Sequence, residues 1–417
     1  MNMEIKRDAL LNRLMSLRHN KMIKVITGMR RCGKSYLLFN LFSEALKKEG
    51  VDDRHIVKIN LEDRRNKDLR NPDKLLDYID SQLKDEKMYY ILLDEVQLVS
   101  EFEDVLNSYL HVDNADVYVT GSNARFLSKD VITEFRGRGF EVKIHPLSFQ
   151  EIRNAKPEVP MEQLWLDYMT YGGLPMVVTM DSVQDRTSYL KGLFKHTYLK
   201  DIKERYNIKL DEDLEDLIKI LASAIGGLTN PRKLADTFRS VKKSNISQDT
   251  LKVYLDYLQD AFIVKRVLRY DIKGKRYIET PSKFYFEDLG LRNALLNFRQ
   301  VEKSHLMENA IYNELIVRGM TVDVGEVIWN TKDVAGKKIR KALEVDFVCN
   351  QGYKRIYIQS ALSIPDDAKR EQELLSLRKI DDSFQKVVIT GEHGPHYQND
   401  DGILFMDIYD FLMGKEI

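Results

Sequence analysis

Hydrophobic positions change period several times along the chain. Residues 5–20 place Leu10, Leu11, Leu14 and Leu17 among charges, which is the spacing of an amphipathic helix. Short apolar runs follow: "MIKVITG", "HIVKINLED", "MYYILLDEVQLV" and "ADVYVTGSNARFL" each read as a buried strand, the last continuing into a helix. Between them, "KSYLLFNLFSEALKKEG", "PDKLLDYIDSQLK" and "FEDVLNSYLHV" carry helical spacing, and Gly50 stops the first. Strands alternating with helices predict right-handed crossovers and a mainly parallel sheet covered on both faces.

The alternation weakens after "FEVKIHPLSFQEI". From there to about residue 225 the pattern is helical, interrupted by "YGGLP" at Tyr171–Pro175. Residues 213–290 read as helices followed by a hairpin, "FIVKRVLRYDIKGKRYI", turned at Lys273–Gly274. Residues 300–417 return to helix, strands, then helix. A chain of 417 residues is long for one domain. The pattern predicts four segments: 1–150, 151–212, 213–290 and 291–417.

Composition refines this reading without redirecting it. The apolar fraction of 43% suffices for real cores, and formal net charge is zero, so any nucleic-acid site must be a local patch. Thr229–Lys283 is such a patch, with 13 Lys and Arg against 6 Asp and Glu. The two cysteines, Cys32 and Cys349, lie far apart and outside any CxxC, which fits a reducing cytoplasm. The N-terminus has no apolar h-region, and runs such as "YYILL" are too short to span a bilayer.

The first segment carries readable chemistry. "GMRRCGKS", Gly28–Ser35, fits G-x-x-x-x-G-K-[ST] between a strand and a helix. Glycines let the backbone approach phosphate oxygens, and successive N–H groups at a helix start face the anion. Lys34 is expected to reach the β- and γ-phosphates and Ser35 to ligate Mg²⁺. The strand "YYILLDEV" delivers Asp94 to its C-terminal end as a second Mg²⁺ holder, and Glu95 is placed to orient or deprotonate the attacking water. No NKxD motif is present to read guanine, so adenine fits better and ATP is the expected nucleotide. Ser122 and Asn123 close a further strand, where either a γ-phosphate sensor or an ordinary turn is consistent. "EFRGRGFEV" sets Arg136 and Arg138 in a glycine-flanked loop, as an arginine finger acting in cis or across a subunit contact, or as a solvated loop.

"VITGMRRCGKS", "YYILLDEVQ", "VYVTGSNARFLS", "GRGFEVKIHPLSFQE" and "YGGLP", in this order, resemble a family of prokaryotic AAA-type ATPases related to the archaeal-ATPase group. The resemblance extends through "FYFEDLGLRNALL" and "EVDFV", nearly the full length. It implies an ATPase core, a helical lid, a winged-helix segment and a C-terminal restriction-endonuclease-like fold. It makes Arg31 an expected loop residue and matches Arg138 to the family's "GR" element. The expected ATP contacts are then Gly28, Arg31, Cys32, Gly33, Lys34, Ser35 and Tyr36. Lys34, Glu95, Asn123 and Arg138 are the expected catalytic residues.

"NPRKLADTFRSVKKSNISQDTLKVYLDYLQDAFIVKRVLRY" looks like a winged helix-turn-helix. Leu234, Phe238, Val241, Ile246, Leu251, Tyr254, Leu255 and Leu258 form its expected core, and Ser247 its second helix's N-cap. DNA or a protein partner are both open for this segment. Further on, Glu308 and Glu314 on a helix and Glu344 and Asp346 on a strand resemble an endonuclease's metal-holding acids. The place of its E-x-K reads Gln359-Ser360-Ala361, so one carboxylate and that strand's lysine are missing and phosphodiester chemistry is expected to be lost. His393 and His396 fall in a polar loop, "TGEHGPHYQNDDG", without a matching ligand cluster.

Overall fold

The computed structural model describes residues 5–121, 135, 137–208, 211–299, 302–332 and 338–417. Two compact units emerge, Met1–Pro146 with Asp260–Phe262, and Leu147–Gln259 with Ile263–Ile417.

In the first unit, β1 (Ile23–Thr27), β2 (Ile56–Asn60), β3 (Tyr89–Asp94), β4 (Ala115–Gly121) and β5 (Gly139–Lys143) form one sheet. Its order is β2-β3-β4-β1-β5 and every pairing is parallel. This is a P-loop NTPase core. β1 and β3 are buried at every position, which is why they read as continuous apolar runs rather than alternating ones. Lys24 is the exception within β1. Its ammonium is fully buried and pairs with Asp116 of β4, whose other oxygen accepts from Tyr118 Oη at 2.9 Å. Register puts Thr27 opposite Gly121 and Asn60 opposite Asp94, so these strand ends share one edge of the sheet. Ligands of α/β sheets bind at that edge.

The second unit begins with helix Phe149–Ala155, closed by a capping box between Ser148 and Glu151. Helices Met161–Tyr171, Pro175–Val178 and Val183–Leu193 follow, the last running on through a π-type turn, Phe194–Leu199, to Lys200–Tyr206. The segment "YGGLP" is built around Asp288. Its carboxylate accepts from the Gly173 N–H at 2.8 Å and caps helix Leu289–Leu295 through the Leu291 N–H at 2.9 Å. A Cβ on Gly172 would lie 2.3 Å from that carboxylate, so only glycine fits there. Asn293 completes the joint by donating to the Met169 and Thr170 carbonyls at the end of helix Met161–Tyr171. Burial raises the Asp288 carboxyl to about 6, against the four backbone N–H groups that favour its charge. Two of the motifs that carry the family resemblance therefore meet in one structural joint.

An eight-stranded mixed sheet fills the rest of this unit. It contains β6 (Val264–Asp271), β7 (Arg276–Phe286), β8 (Thr321–Lys332), β9 (Lys338–Gln351), β10 (Lys354–Ala361), β11 (Gln385–Thr390), β12 (Tyr397–Gln398) and β13 (Leu404–Asp407). The order is β12-β13-β11-β10-β9-β8-β6-β7. The hairpin expected at Lys273–Gly274 is β6–β7, and β6 pairs in parallel with β8, so the sheet takes strands from both sides of residue 290.

Of the core positions expected around helices Pro231–Thr237 and Gln248–Asp260, six are buried: Leu234, Phe238, Leu251, Tyr254, Leu255 and Leu258. Ser247 accepts from the Thr250 N–H at 3.0 Å, as an N-cap should. Val241 is a correction, being 68% exposed. The turn Phe238–Lys242 is π-type, wider than 3.6 residues, so each residue turns through a smaller angle and Val241 lags behind the buried face, pointing outward. Ile246 is half-buried.

Candidate functional site

The loop after β1 is held by its surroundings. Gly28 has φ +144°, and a Cβ there would stand 2.1 Å from the Ile144 carbonyl oxygen. Cys32 is buried, with Sγ 3.8 Å from the same carbonyl oxygen. Arg7, just before the first helix, donates to the Cys32 carbonyl at 3.1 Å and the His145 carbonyl at 2.9 Å, tying the loop to the segment after β5. Gly33 has φ +98° and N-caps the helix that starts at Lys34.

The buried Lys34 ammonium donates to the Gly28 and Met29 carbonyls, both at 3.0 Å. An ammonium has three donors, so among the described residues one stays uncommitted. Ser35 Oγ lies 3.0 Å from Asp94 Oδ1, the contact on which the site is built. Thr120 Oγ1 donates to the same oxygen at 2.5 Å and accepts from the Glu95 N–H at 3.0 Å. Asp94 is 2% exposed, and burial raises its carboxyl; the Thr120 and Ser35 hydrogen bonds oppose this and the Glu95 charge adds to it. Asp94 Oδ2 has no hydrogen bond among the described residues. A serine hydroxyl beside a buried carboxylate with an open oxygen is the hard donor set that suits Mg²⁺. Glu95 is buried in the left-handed conformation, φ +56°, and its carboxylate accepts from the Gln97 amide. The amide oxygen of Gln97 is buried and has no hydrogen-bond partner among the described residues, which leaves an acceptor next to Glu95.

The other expected residues are placed as follows. Tyr36 is 45% exposed on the first helical turn. Arg31 is exposed at φ +64°, and the half-buried Arg30 lies 4.0 Å from Glu62. Ser122, Asn123 and Arg136 lie outside the described residues. Arg138 is exposed, and its carbonyl accepts from the Ile23 N–H at 2.9 Å, at the start of β1. The phosphate loop follows the other end of β1. Five residues at ~3.3 Å each, about 16 Å of strand, separate them. The structure therefore does not bring Arg138 to the loop of its own chain.

Thr120, Gln97 and Arg7 were not singled out from sequence. Thr120 had a signal, because a polar residue closing an apolar strand beside the Asp94 strand faces the same edge. Arg7 had none, since its acceptors are backbone carbonyls 25 and 138 residues away.

Residues 20–153 match the family model of an AAA domain, and residues 162–302 that of a domain of unknown function. An uncharacterised protein of Haemophilus influenzae is 32% identical over 415 residues, covering 98% of each chain. The chain belongs to that protein's family. A second relative, an uncharacterised protein of Methanocaldococcus jannaschii, is 26% identical over 94% of this chain and 88% of its own. A Walker-type ATPase of Pyrococcus abyssi shares the fold, with a TM-score of 0.51 at 16% identity over 70% of this chain and 96% of that one. The family thus joins an AAA-type P-loop ATPase domain to a second unit. Among the described residues no helix is long and apolar enough to cross a membrane.

That second unit gathers charges of its own. Glu308 on helix Lys303–Val317 and Glu344 and Asp346 on β9 converge around a residue not foreseen. Lys283 of β7, 2% exposed, places its ammonium 2.8 Å from Glu308 Oε1 and 2.7 Å from Glu344 Oε1. Tyr285 Oη donates to Glu308 Oε1 at 2.5 Å. Asp346 Oδ2 accepts from the Ser360 N–H at 2.7 Å and Ser360 Oγ at 2.9 Å. Burial and the Glu308 charge raise the Asp346 carboxyl to about 7. The cation of this cluster thus comes from β7. Glu314 is elsewhere, paired with Arg318 at 2.8 Å. Gln359 donates to Glu373 at 3.2 Å. Among the described residues no group of three or more His, Cys, Asp and Glu has metal-holding geometry. His393 is held by Asp407 at 3.0 Å and stacks on Tyr409.

The basic surplus of Thr229–Lys283 is largely paired at short range. Four of its cations meet acids outside the segment: Lys242 with Asp216 at 2.7 Å, Lys273 with Asp381 at 3.3 Å, Arg269 with Glu326, and Lys283 with Glu308 and Glu344. These pairs leave a weaker field for phosphates than the count of charges implies.

Proposed function

We propose that the first unit binds ATP with Mg²⁺ and hydrolyses it, and that turnover drives rearrangement of the second unit against a partner. The observation that supports this most is the 3.0 Å contact between Ser35 Oγ and Asp94 Oδ1 at the carboxyl edge of the parallel sheet, beside Lys34 and Glu95. In this reading, Lys34 directs its uncommitted donor to the β- and γ-phosphates, and loop N–H groups from Gly28 to Ser35 hold the remaining oxygens. Ser35 and Asp94 would hold Mg²⁺, which neutralises phosphate charge. Glu95 accepts the water's proton, with Gln97 and Thr120 fixing its position. The winged-helix and endonuclease-like readings of the second unit belong to this proposal, as does a division at about residues 151, 213 and 291.

Purified protein should release phosphate from ATP, and Lys34→Ala should abolish the release; equal turnover in this variant sinks the ATPase reading. Running the assay with DNA, RNA or neither shows whether nucleic acid is the partner. Stimulation would favour it over a protein partner.

Arg138 enters the proposal as a residue supplied by a second copy, because its own loop is out of reach. Arg138→Ala should lower turnover ~10³-fold, the scale of a lost arginine finger. Mixing it with inactive Lys34→Ala should restore part of the rate, as one variant's intact loop meets the other's Arg138. No recovery from the mixture would rule out a role in trans.

A further inference from the structure

The eight-stranded sheet leaves one of its hairpins partly unpartnered. β6 reaches β8 only at Val324–Glu326, and β10 reaches β9 only at Phe347–Gln351. Beyond these contacts β8 and β9 pair with each other alone, from Val327 opposite Leu343 to Lys332 opposite Lys338. Six residues per strand at ~3.4 Å each make this two-stranded ribbon about 20 Å long. Its sequence is one-sided in charge: residues 327–343 hold five Lys and Arg against one acid, Asp333. Residues 333–337 lie outside the described ones, and without them the ribbon still carries Lys332, Lys338, Arg340 and Lys341.

The two faces of the ribbon differ. One is packed at its foot, where Val327 and Leu343 join the core cluster with Leu374 and Leu377 of helix Asp367–Arg378, and the Lys379 ammonium lies 5.0 Å over the Trp329 ring. Strand alternation puts positions 330, 332, 338 and 340 on the other face. Asn330 and Arg340 stand directly opposite each other there, both exposed. Arg340 and its neighbour Lys341, also exposed, have no ion pair among the described residues. The acids at the foot of this face are already neutralised, Glu326 by Arg269 and Glu344 by Lys283 at 2.7 Å. Register also sets lysine opposite lysine at 332 and 338, which is destabilising in an antiparallel pair, and a two-stranded ribbon is marginal on its own. A bound polyanion removes that repulsion.

We propose that this ribbon is a docking arm for double-stranded DNA, laid in the major groove with its lysines on phosphates and Arg340 and Asn330 at base edges. The inference goes beyond the ATPase reading and does not depend on turnover. Charge selects phosphates, with five cations against one acid over the length of the ribbon. Shape selects the duplex. A B-form major groove ~12 Å wide admits two strands ~4.8 Å apart with their side chains, whereas the deep, narrow major groove of duplex RNA does not. Arginine and asparagine are the side chains whose donors and acceptors match guanine and adenine edges. The Thr229–Lys283 segment, whose cations are largely paired, is not needed for this contact.

The test uses the full-length protein without ATP. A labelled DNA duplex of about two helical turns, its single strand, and an RNA duplex of matching sequence are titrated by fluorescence anisotropy at several salt concentrations. The DNA duplex should bind most tightly, with an affinity that falls steeply as salt rises. Lys338→Ala with Lys341→Ala should weaken this binding ~10-fold or more and lower the salt slope by about 2, one for each lysine removed. Its melting midpoint should equal or exceed that of wild type, because a facing pair of like charges is gone, so the loss is not unfolding. Lys338→Arg with Lys341→Arg should keep the binding. A control, Lys48→Ala with Lys354→Ala, removes two exposed charges away from the ribbon and should bind as wild type does. The proposal is overturned if wild type ignores the DNA duplex, if the single strand or the RNA duplex binds as tightly, if the ribbon variant binds as wild type does, or if the control loses as much.

Discussion

Glu95→Gln should bind ATP as wild type does and turn it over ~10²-fold or more slowly, the usual cost of losing a general base. The substitution keeps size and shape, so the loop, Lys34 and the Ser35–Asp94 contact stay in place. What it removes is the basic oxygen. Glu95 follows the last residue of β3 in a left-handed conformation, which turns its side chain off the strand while its N–H is held by Thr120. A carboxylate so placed accepts from the Gln97 amide, and an amide at position 95 would face another amide with one fewer acceptor. Equilibrium binding of ATP and single-turnover phosphate release separate the two effects. Loss of binding together with turnover would make Glu95 structural; unchanged turnover would move the base elsewhere. The variant should also trap the nucleotide-bound state, which makes it the form in which to look for assembly through Arg138.

How much of this was legible in the sequence follows from how local each signal is. Buried parallel strands announce themselves as apolar runs, and the phosphate loop is a contiguous motif, so the first unit's sheet and the set Gly28, Gly33, Lys34, Ser35, Asp94 and Glu95 could be read directly. Arg138 could be named but not placed, because its distance from the loop depends on β5 lying parallel to β1 with Gly139 opposite Ile23. Val241 was misread because 3.6-residue spacing was carried through a wider turn. β6 pairs with β8 across some fifty residues, and no local pattern encodes that choice. Lys283 sits in "PSKFYF", where a lysine reads as a solvent-facing position of a strand. Its burial becomes intelligible only once Glu308 and Glu344 are brought around it.

Lys283→Met should destabilise the second unit by ~3–5 kcal/mol, the scale for removing one partner of a buried ion pair. Methionine fills much the same volume, so the loss is electrostatic rather than a cavity. Burial pulls the Lys283 ammonium down, but the Glu308, Asp346 and Glu344 carboxylates more than reverse this and hold it above the ordinary lysine range. Without it, Glu308 and Asp346 face each other in a low-dielectric interior; Glu344, 39% exposed, is relieved by water and contributes less. The pH dependence gives the sign. Asp346 titrates at about 7 in the folded chain against 3.8 for the free side chain. The folded state therefore holds the extra proton between these values, and this group's contribution to stability falls as pH rises from about 4 to 7. The variant should steepen that fall, since uptake of protons is its remaining way to reduce repulsion. Urea unfolding at pH 5 and pH 8 measures it, with a smaller penalty expected at pH 5. Adding Glu308→Gln should recover part of the loss at pH 8. A penalty that is equal at both pH values, or no recovery in the double variant, would mean Lys283 acts through packing. The same geometry bears on cleavage chemistry, because a divalent ion at these acids would have to displace an ammonium already at hydrogen-bond distance from two of them. With Lys283 in place, Mg²⁺-dependent DNA cleavage is not expected.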